Sequence, residues 1–207
     1  MCKPCIRGNN DNNDKSGNAI KKLMDGNRRF VTCNLTQKAI QDSERKEMTK
    51  GQSPFAVVVT CSDSRVSPEI IFDQWLGDIF VIRVAGNVLE PISLGSIEYA
   101  VENLNVSLLV LLGHTQCGAV IASFNAEEKP EGNIGAIVEK IKPAVAKAKA
   151  IGGSKEEIIN NSIKENVLFT EEYMLKNSQI IKSYVDSGKL RIFKAIYNLE
   201  TGEVKAI

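Results

Sequence analysis

The stretch PFAVVVTCSDSRV, residues 54–66, decides the architecture. Residues 55–60 form an unbroken apolar, β-branched run with no polar alternation. Such a run fits a strand buried on both faces, as in a parallel sheet covered by helices. The chemistry changes abruptly at its end. A thiol (Cys61), two hydroxyls, a carboxylate (Asp63) and a guanidinium (Arg65) follow within five residues.

The flanking pattern repeats this alternation. Residues 79–85 and 106–112 read as further strands, and 190–197 as a late one. Helical periodicity marks 68–75, 93–103, 117–125, 134–150 and 155–187. In the 93–103 helix, Ile97, Ala100 and Val101, with Leu104 beyond it, share the inward face. Thr201-Gly202 marks a turn that could return 199–207 as a hairpin. Upstream, residues 17–31 place Ala19, Ile20, Leu23, Met24, Asn27 and Phe30 on one helical face, and a polar helix is expected over 38–50. Strands alternating with helices predict an α/β fold: a central, mostly parallel β-sheet flanked by helices, with an N-terminal helical arm and a late C-terminal strand. Residues 1–16 are expected to be a flexible arm and 17–207 a single domain.

Composition narrows the function classes. The 207 residues are 43% hydrophobic and 25% charged, with a formal net charge of +1. That balance is ordinary for a soluble globular chain and lacks the basic excess of a nucleic-acid binder. The longest apolar run is too short to cross a bilayer. An odd count of five cysteines, at Cys2, Cys5, Cys33, Cys61 and Cys117, argues against a disulfide framework. Reduced thiols suggest a cytoplasmic protein. Cys2-x-x-Cys5 in an Asn-rich segment leaves another reading open, an exported lipoprotein whose signal has been removed. A redox role for that pair lacks the βαβ context it needs.

In open parallel sheets, sites form beyond the carboxyl ends of strands. Cys61 follows one strand. A second stretch, GHTQCGAV (residues 113–120), follows another and contains the single histidine, His114, three residues before Cys117. A strand-end cysteine alone is more often a small buried hydrophobe, and a lone histidine a hydrogen-bonded structural residue. Together, Cys61, His114 and Cys117 form a common three-ligand set for Zn2+ with an open fourth position. A helix N-terminus at Cys117 favours its thiolate. Asp63 and Arg65 could be only a surface ion pair. Beside a metal they have a sharper role, in which Arg65 holds a carboxylate that would otherwise fill the fourth position.

With CSDSRV, GDIFVIRVAGN, GSIEYAV and GHTQCGAV in that order, residues 52–124 resemble the β-class carbonic anhydrases. The resemblance implies zinc on Cys61, His114 and Cys117, an Asp63–Arg65 dyad, and reversible hydration of carbon dioxide to bicarbonate and a proton by zinc-bound hydroxide. It is closer to the plant-type, open-site subgroup, because Val58 stands where bicarbonate-gated members carry tryptophan. Gln52 matches a substrate-binding glutamine, Phe80 and Tyr99 match pocket aromatics, and Gly118 is expected to lend a backbone N–H to a substrate oxygen. Plain core packing remains open for Phe80, and an ordinary loop amide for Gln52. Arg83 and Asn87 are expected to brace the site. The family completes its pocket across a dimer interface, so a homodimer or dimer of dimers is implied. If His114 binds metal, no histidine remains to carry the proton away. A carbonyl sulfide or carbon disulfide hydrolase on the same scaffold, and a non-catalytic zinc-stabilised scaffold, are the alternatives.

Overall fold

The computed structural model describes residues 10–37 and 41–207. The Cys2-x-x-Cys5 pair lies outside them, as does the start of the polar helix expected from residue 38. Two helices precede the sheet, α1 (Asn10–Val31) and α2 (Asp42–Met48). The helix α1 begins well before residue 17, so 10–16 are helical where a flexible arm was expected. Those polar residues carry no apolar periodicity that could mark them. There follow β1 (Ala56–Thr60), α3 (Pro68–Ile71), β2 (Ile79–Arg83), a 3₁₀ turn (Ala85–Asn87) and α4 (Pro91–Glu102). The rest is β3 (Leu108–His114), α5 (Gly118–Asn125), α6 (Ile134–Ile151), α7 (Lys155–Asn177), α8 (Gln179–Asp186), β4 (Arg191–Tyr197) and β5 (Val204–Ala206).

The strands form one sheet in the order β2-β1-β3-β4-β5, parallel except for the final β4–β5 pair. Each side of the pleat buries a different layer. Val57, Val59, Leu109 and Leu111 pack with Ile97 and Val101 of α4, Val167 and Met174 of α7, and Ile181 of α8. Ala56, Val58, Leu108, Val110 and Leu112 face the other way, onto Leu23 of α1 and Ile71 and Phe72 at α3. Fully burying one such valine or leucine contributes about 1.5–3 kcal/mol. Both layers explain why these strands read as continuous rather than alternating runs. Among the described residues, no helix is long and apolar enough to cross a membrane.

Two helices are shorter than periodicity suggested. The expected helix over 68–75 stops at Ile71, because Asp73 turns to a φ of 47° and its carboxylate binds Arg29 and Thr36. The expected helix over 155–187 breaks into α7 and α8 at Ser178. That hydroxyl accepts from Ile181 N–H (3.1 Å) and donates to Glu98 (2.6 Å), which caps α8 and ties it to α4. On the other side, Asn27 of α1 joins three elements. Its amide nitrogen donates to the carbonyls of Ile71 (3.2 Å) and Gly202 (2.9 Å), and its oxygen accepts from Val204 N–H (2.9 Å).

Candidate metal centre

Strand register brings the site together. Thr60 lies level with Arg83 on one side and Leu112 on the other. Cys61 therefore leaves β1 beside the end of β3, where His114 is the last strand residue. The chain then reverses at Gln116, whose φ is 56°, and Cys117 caps α5. The Cys61 and Cys117 sulfurs and a His114 ring nitrogen all lie within 4.8 Å of one another. The three residues are 5%, 1% and 0% exposed, so the cluster is buried.

The imidazole is pre-set for a ligand. The Nδ1 of His114 lies 2.9 Å from the Thr115 carbonyl, a donor contact that leaves Nε2 as a bare lone pair. Nε2 is buried with no hydrogen-bond partner among the described residues. Buried polar atoms are rarely left unsatisfied, and this orphan beside two sulfurs fits a metal better than it fits a packed core. Zinc bonds of about 2.0–2.3 Å in tetrahedral geometry set ligand atoms roughly 3.5 Å apart, which the cluster accommodates.

The two thiols share one proton. The hydrogen bond from Cys117, with another from the Gly86 N–H, pulls the Cys61 thiol below its ordinary range. The same contact with Cys61, together with burial, pushes the Cys117 thiol up. The pair sheds its first proton readily and holds its second. Cysteine ligands bind as thiolates, so metal binding expels that second proton. Gly86 N–H reaches the Cys61 sulfur at 3.2 Å.

Asp63 and Arg65 form a bidentate pair. Arg65 Nε donates to Oδ1 (2.9 Å) and Nη2 to Oδ2 (2.8 Å), and the Arg65 backbone N–H adds a third bond (3.0 Å). The Arg65 guanidinium holds the Asp63 carboxyl well below the usual carboxylate range. Asp63 Oδ2 stands 4.0 Å from His114 Nε2, close to the cluster but held off it. Arg83 of β2 braces this loop by donating to the carbonyls of Cys61 (3.1 Å) and Asp63 (2.6 Å). Asn87 braces through its contacts with α7 rather than touching the cluster.

The other expected residues are distributed differently. Gly118 opens α5 beside Cys117 and is exposed, with an N–H that the helix cannot satisfy. Gln52 is exposed before β1 and makes no hydrogen bond among the described residues. The five residues of β1, rising about 3.3 Å each, separate it from Cys61 of its own chain. Phe80 lies opposite Val57, toward that same far end, and packs on the core; its ring centroid is 6.3 Å from that of Tyr99, which is 47% exposed. One chain thus assembles Cys61, His114, Cys117, Asp63, Arg65 and Gly118, and leaves Gln52, Phe80 and Tyr99 apart. Residue types alone do not reveal the Thr115 carbonyl and the Gly86 N–H. Both are backbone groups, and only the glycine at a φ of 65° leaves a trace in sequence.

Comparison with known proteins agrees. A family model described as carbonic anhydrase matches residues 56–204. Carbonic anhydrase 2 of Mycobacterium tuberculosis is 40% identical over 188 residues, covering 89% of each chain. A carbonic anhydrase of Mycolicibacterium smegmatis is 40% identical over 190 residues, covering 90% of this chain and 91% of its own. Among solved structures, the Coccomyxa β-carbonic anhydrase in complex with acetazolamide superposes with a TM-score of 0.73 at 26% identity, over 80% of this chain and 78% of its own. A β-carbonic anhydrase from Sordaria macrospora, described as tetrameric, gives 0.71 at 25% identity, over 92% and 97%. The chain belongs to the β-class carbonic anhydrases, a family of zinc-dependent lyases.

Proposed function

We propose that this chain catalyses the reversible hydration of carbon dioxide to bicarbonate and a proton, and that it belongs to the open-site subgroup. One observation carries the reading: a buried Cys61–His114–Cys117 cluster with an orphaned ring nitrogen, beside a carboxylate that Arg65 clamps away from it. Cys61, His114 and Cys117 would hold the zinc. Zinc bound there supplies the Lewis acidity that brings the pKa of water from about 15.7 to near 7.

The remaining work falls to the chain. Asp63, ionised throughout the neutral range, accepts a hydrogen bond from the attacking water and aims its lone pair at the substrate carbon. Arg65 keeps both carboxylate oxygens engaged, so that Asp63 does not close the site. The exposed N–H of Gly118 donates to a substrate oxygen. Gln52, Phe80 and Tyr99 serve the site of a second copy, which makes the working unit a homodimer or a dimer of dimers; the far-end position of Gln52 supports this. The proton leaves to a solute base, because the chain's one histidine is committed to the cluster. The free thiols at Cys33, Cys61 and Cys117 suit a reducing cytoplasm.

Stopped-flow hydration of carbon dioxide on zinc-quantified protein tests this, with His114→Ala as control. The expected result is about one zinc per chain, hydration whose turnover rises with buffer concentration, and loss of both in the variant. Stoichiometric zinc without hydration would overturn the reading. It would leave a scaffold protein or a hydrolase of carbonyl sulfide or carbon disulfide.

A further inference from the structure

The buried face of α7 mixes apolar and polar residues, and of its polar ones Ser162 bonds only to its own helix, at the Ile158 carbonyl. Ile163, Val167 and Met174 pack into the core, yet Asn166 and Thr170, one turn apart, are 2% and 5% exposed. Buried amides and hydroxyls are costly unless bonded, and these two are bonded to a single target. Asn166 Nδ2 donates to the Gly86 carbonyl at 2.7 Å. Thr170 Oγ1 accepts from Asn87 Nδ2 at 3.2 Å and lies 2.8 Å from the Asn166 carbonyl and 3.3 Å from that of Asn87. The target is the 3₁₀ turn, where Gly86 and Asn87 both have left-handed φ values of 65° and 47°.

That turn is held from every side. A Cβ on Gly86 would stand 2.6 Å from Ile141 of α6 and 3.0 Å from Ala119 of α5. The helix α7 itself is seated by Gly113, the residue before His114, where a Cβ would come within 2.8 Å of Val167. Thus α7 presses on β3 next to His114 and grips the turn whose N–H points at Cys61. Nothing else on α7 reaches the metal centre through a hydrogen bond among the described residues.

We propose that Asn166 and Thr170 are positioning residues for the metal centre, fixing the 3₁₀ turn so that Gly86 N–H stays aimed at the Cys61 sulfur. Hydrogen bonds to ligand sulfurs tune the metal they hold, and losing such outer contacts typically costs 10–100-fold in affinity or activity. The inference rests on Cys61 being a metal ligand.

Cobalt-substituted protein provides the test. A hydrogen bond to a thiolate lowers its donor level, so weakening that bond moves the sulfur-to-cobalt charge-transfer band to lower energy. Asn166→Ala is expected to red-shift this band and to release zinc to a chelator roughly tenfold faster. Thr170→Val, nearly isosteric, is expected to shift the band less, in the same direction. Met174→Ala, on the same helix but bonded to nothing at the turn, is the control for simple loss of packing; it should lower the melting temperature and leave the band in place. A band in Asn166→Ala that moves no further than in Met174→Ala would overturn the inference. If Asn166→Ala yields no folded protein, the band of Thr170→Val decides by the same comparison. Wild-type protein that binds neither cobalt nor zinc stoichiometrically would instead overturn the ligand assignment beneath it.

Discussion

The two ends of the sheet are built on opposite principles. At the carboxyl end, Cys61, His114 and Cys117 are buried, and Asp63 is bonded to Arg65 and to backbone, all within one chain. At the amino end, Gln52 and Tyr99 are exposed; Tyr99 rests against the Phe80 ring, and Gln52 makes no hydrogen bond among the described residues. Holding a cation needs donors fixed to tenths of an ångström, which neighbouring strands with a shared register provide. Walling a pocket for a small apolar molecule needs only surfaces that meet, and those can come from a second copy.

Substitutions at each end separate these roles. Asp63→Asn should keep its zinc and lose about a hundredfold or more in kcat/KM, read by stopped flow alongside metal analysis. Full activity would show that the carboxylate takes no part in catalysis. Gln52→Ala should cost about tenfold, the worth of one hydrogen bond, with zinc content and melting temperature unchanged. Mixing the two variants sharpens the contrast. If Gln52 serves the partner's site, random subunit exchange restores about a quarter of the sites to the wild-type set; activity no higher than the mean of the two parents would place Gln52 in its own chain's site. The smallest effect concerns pH. Because Arg65 lowers the Asp63 carboxyl, that group adds stability above its unfolded value of about 3.9 and loses it as pH falls through the lower folded value. In zinc-free protein, wild type should therefore melt above Asp63→Asn at pH 6, and the gap should narrow below about pH 4.

The contrast also governs what the sequence discloses. The strands were legible because both faces of β1 and β3 are buried, which leaves runs such as Val57–Val58–Val59 with no polar interruption. The candidate metal donors and the clamped carboxylate beside them were legible because thiol, imidazole and carboxylate are marked by residue type, and strand ends place them. What escaped depends on tertiary partners. Ser178 breaks a helix because Glu98 lies within reach, and Asp73 stops another because Arg29 and Thr36 do. Asn166 and Thr170 sit on a helix whose periodicity marks them only as inward-facing. Their target, a glycine carbonyl and an asparagine 80 and 83 residues away, leaves no local sign.

The three bonds of Asn27 bear on the order of folding during synthesis. Two of its partners, Gly202 and Val204, are separated from it by 175 and 177 residues. The docking of α1 is thus completed only once residues 202–204 have been made. While the ribosome is still adding the middle of the sheet, Leu23 and the rest of the α1 stripe have only part of their eventual cover. A nascent chain stalled before residue 202 would lack two of the three Asn27 bonds and the Val204 side of that layer, leaving the stripe more open to chaperones and proteases.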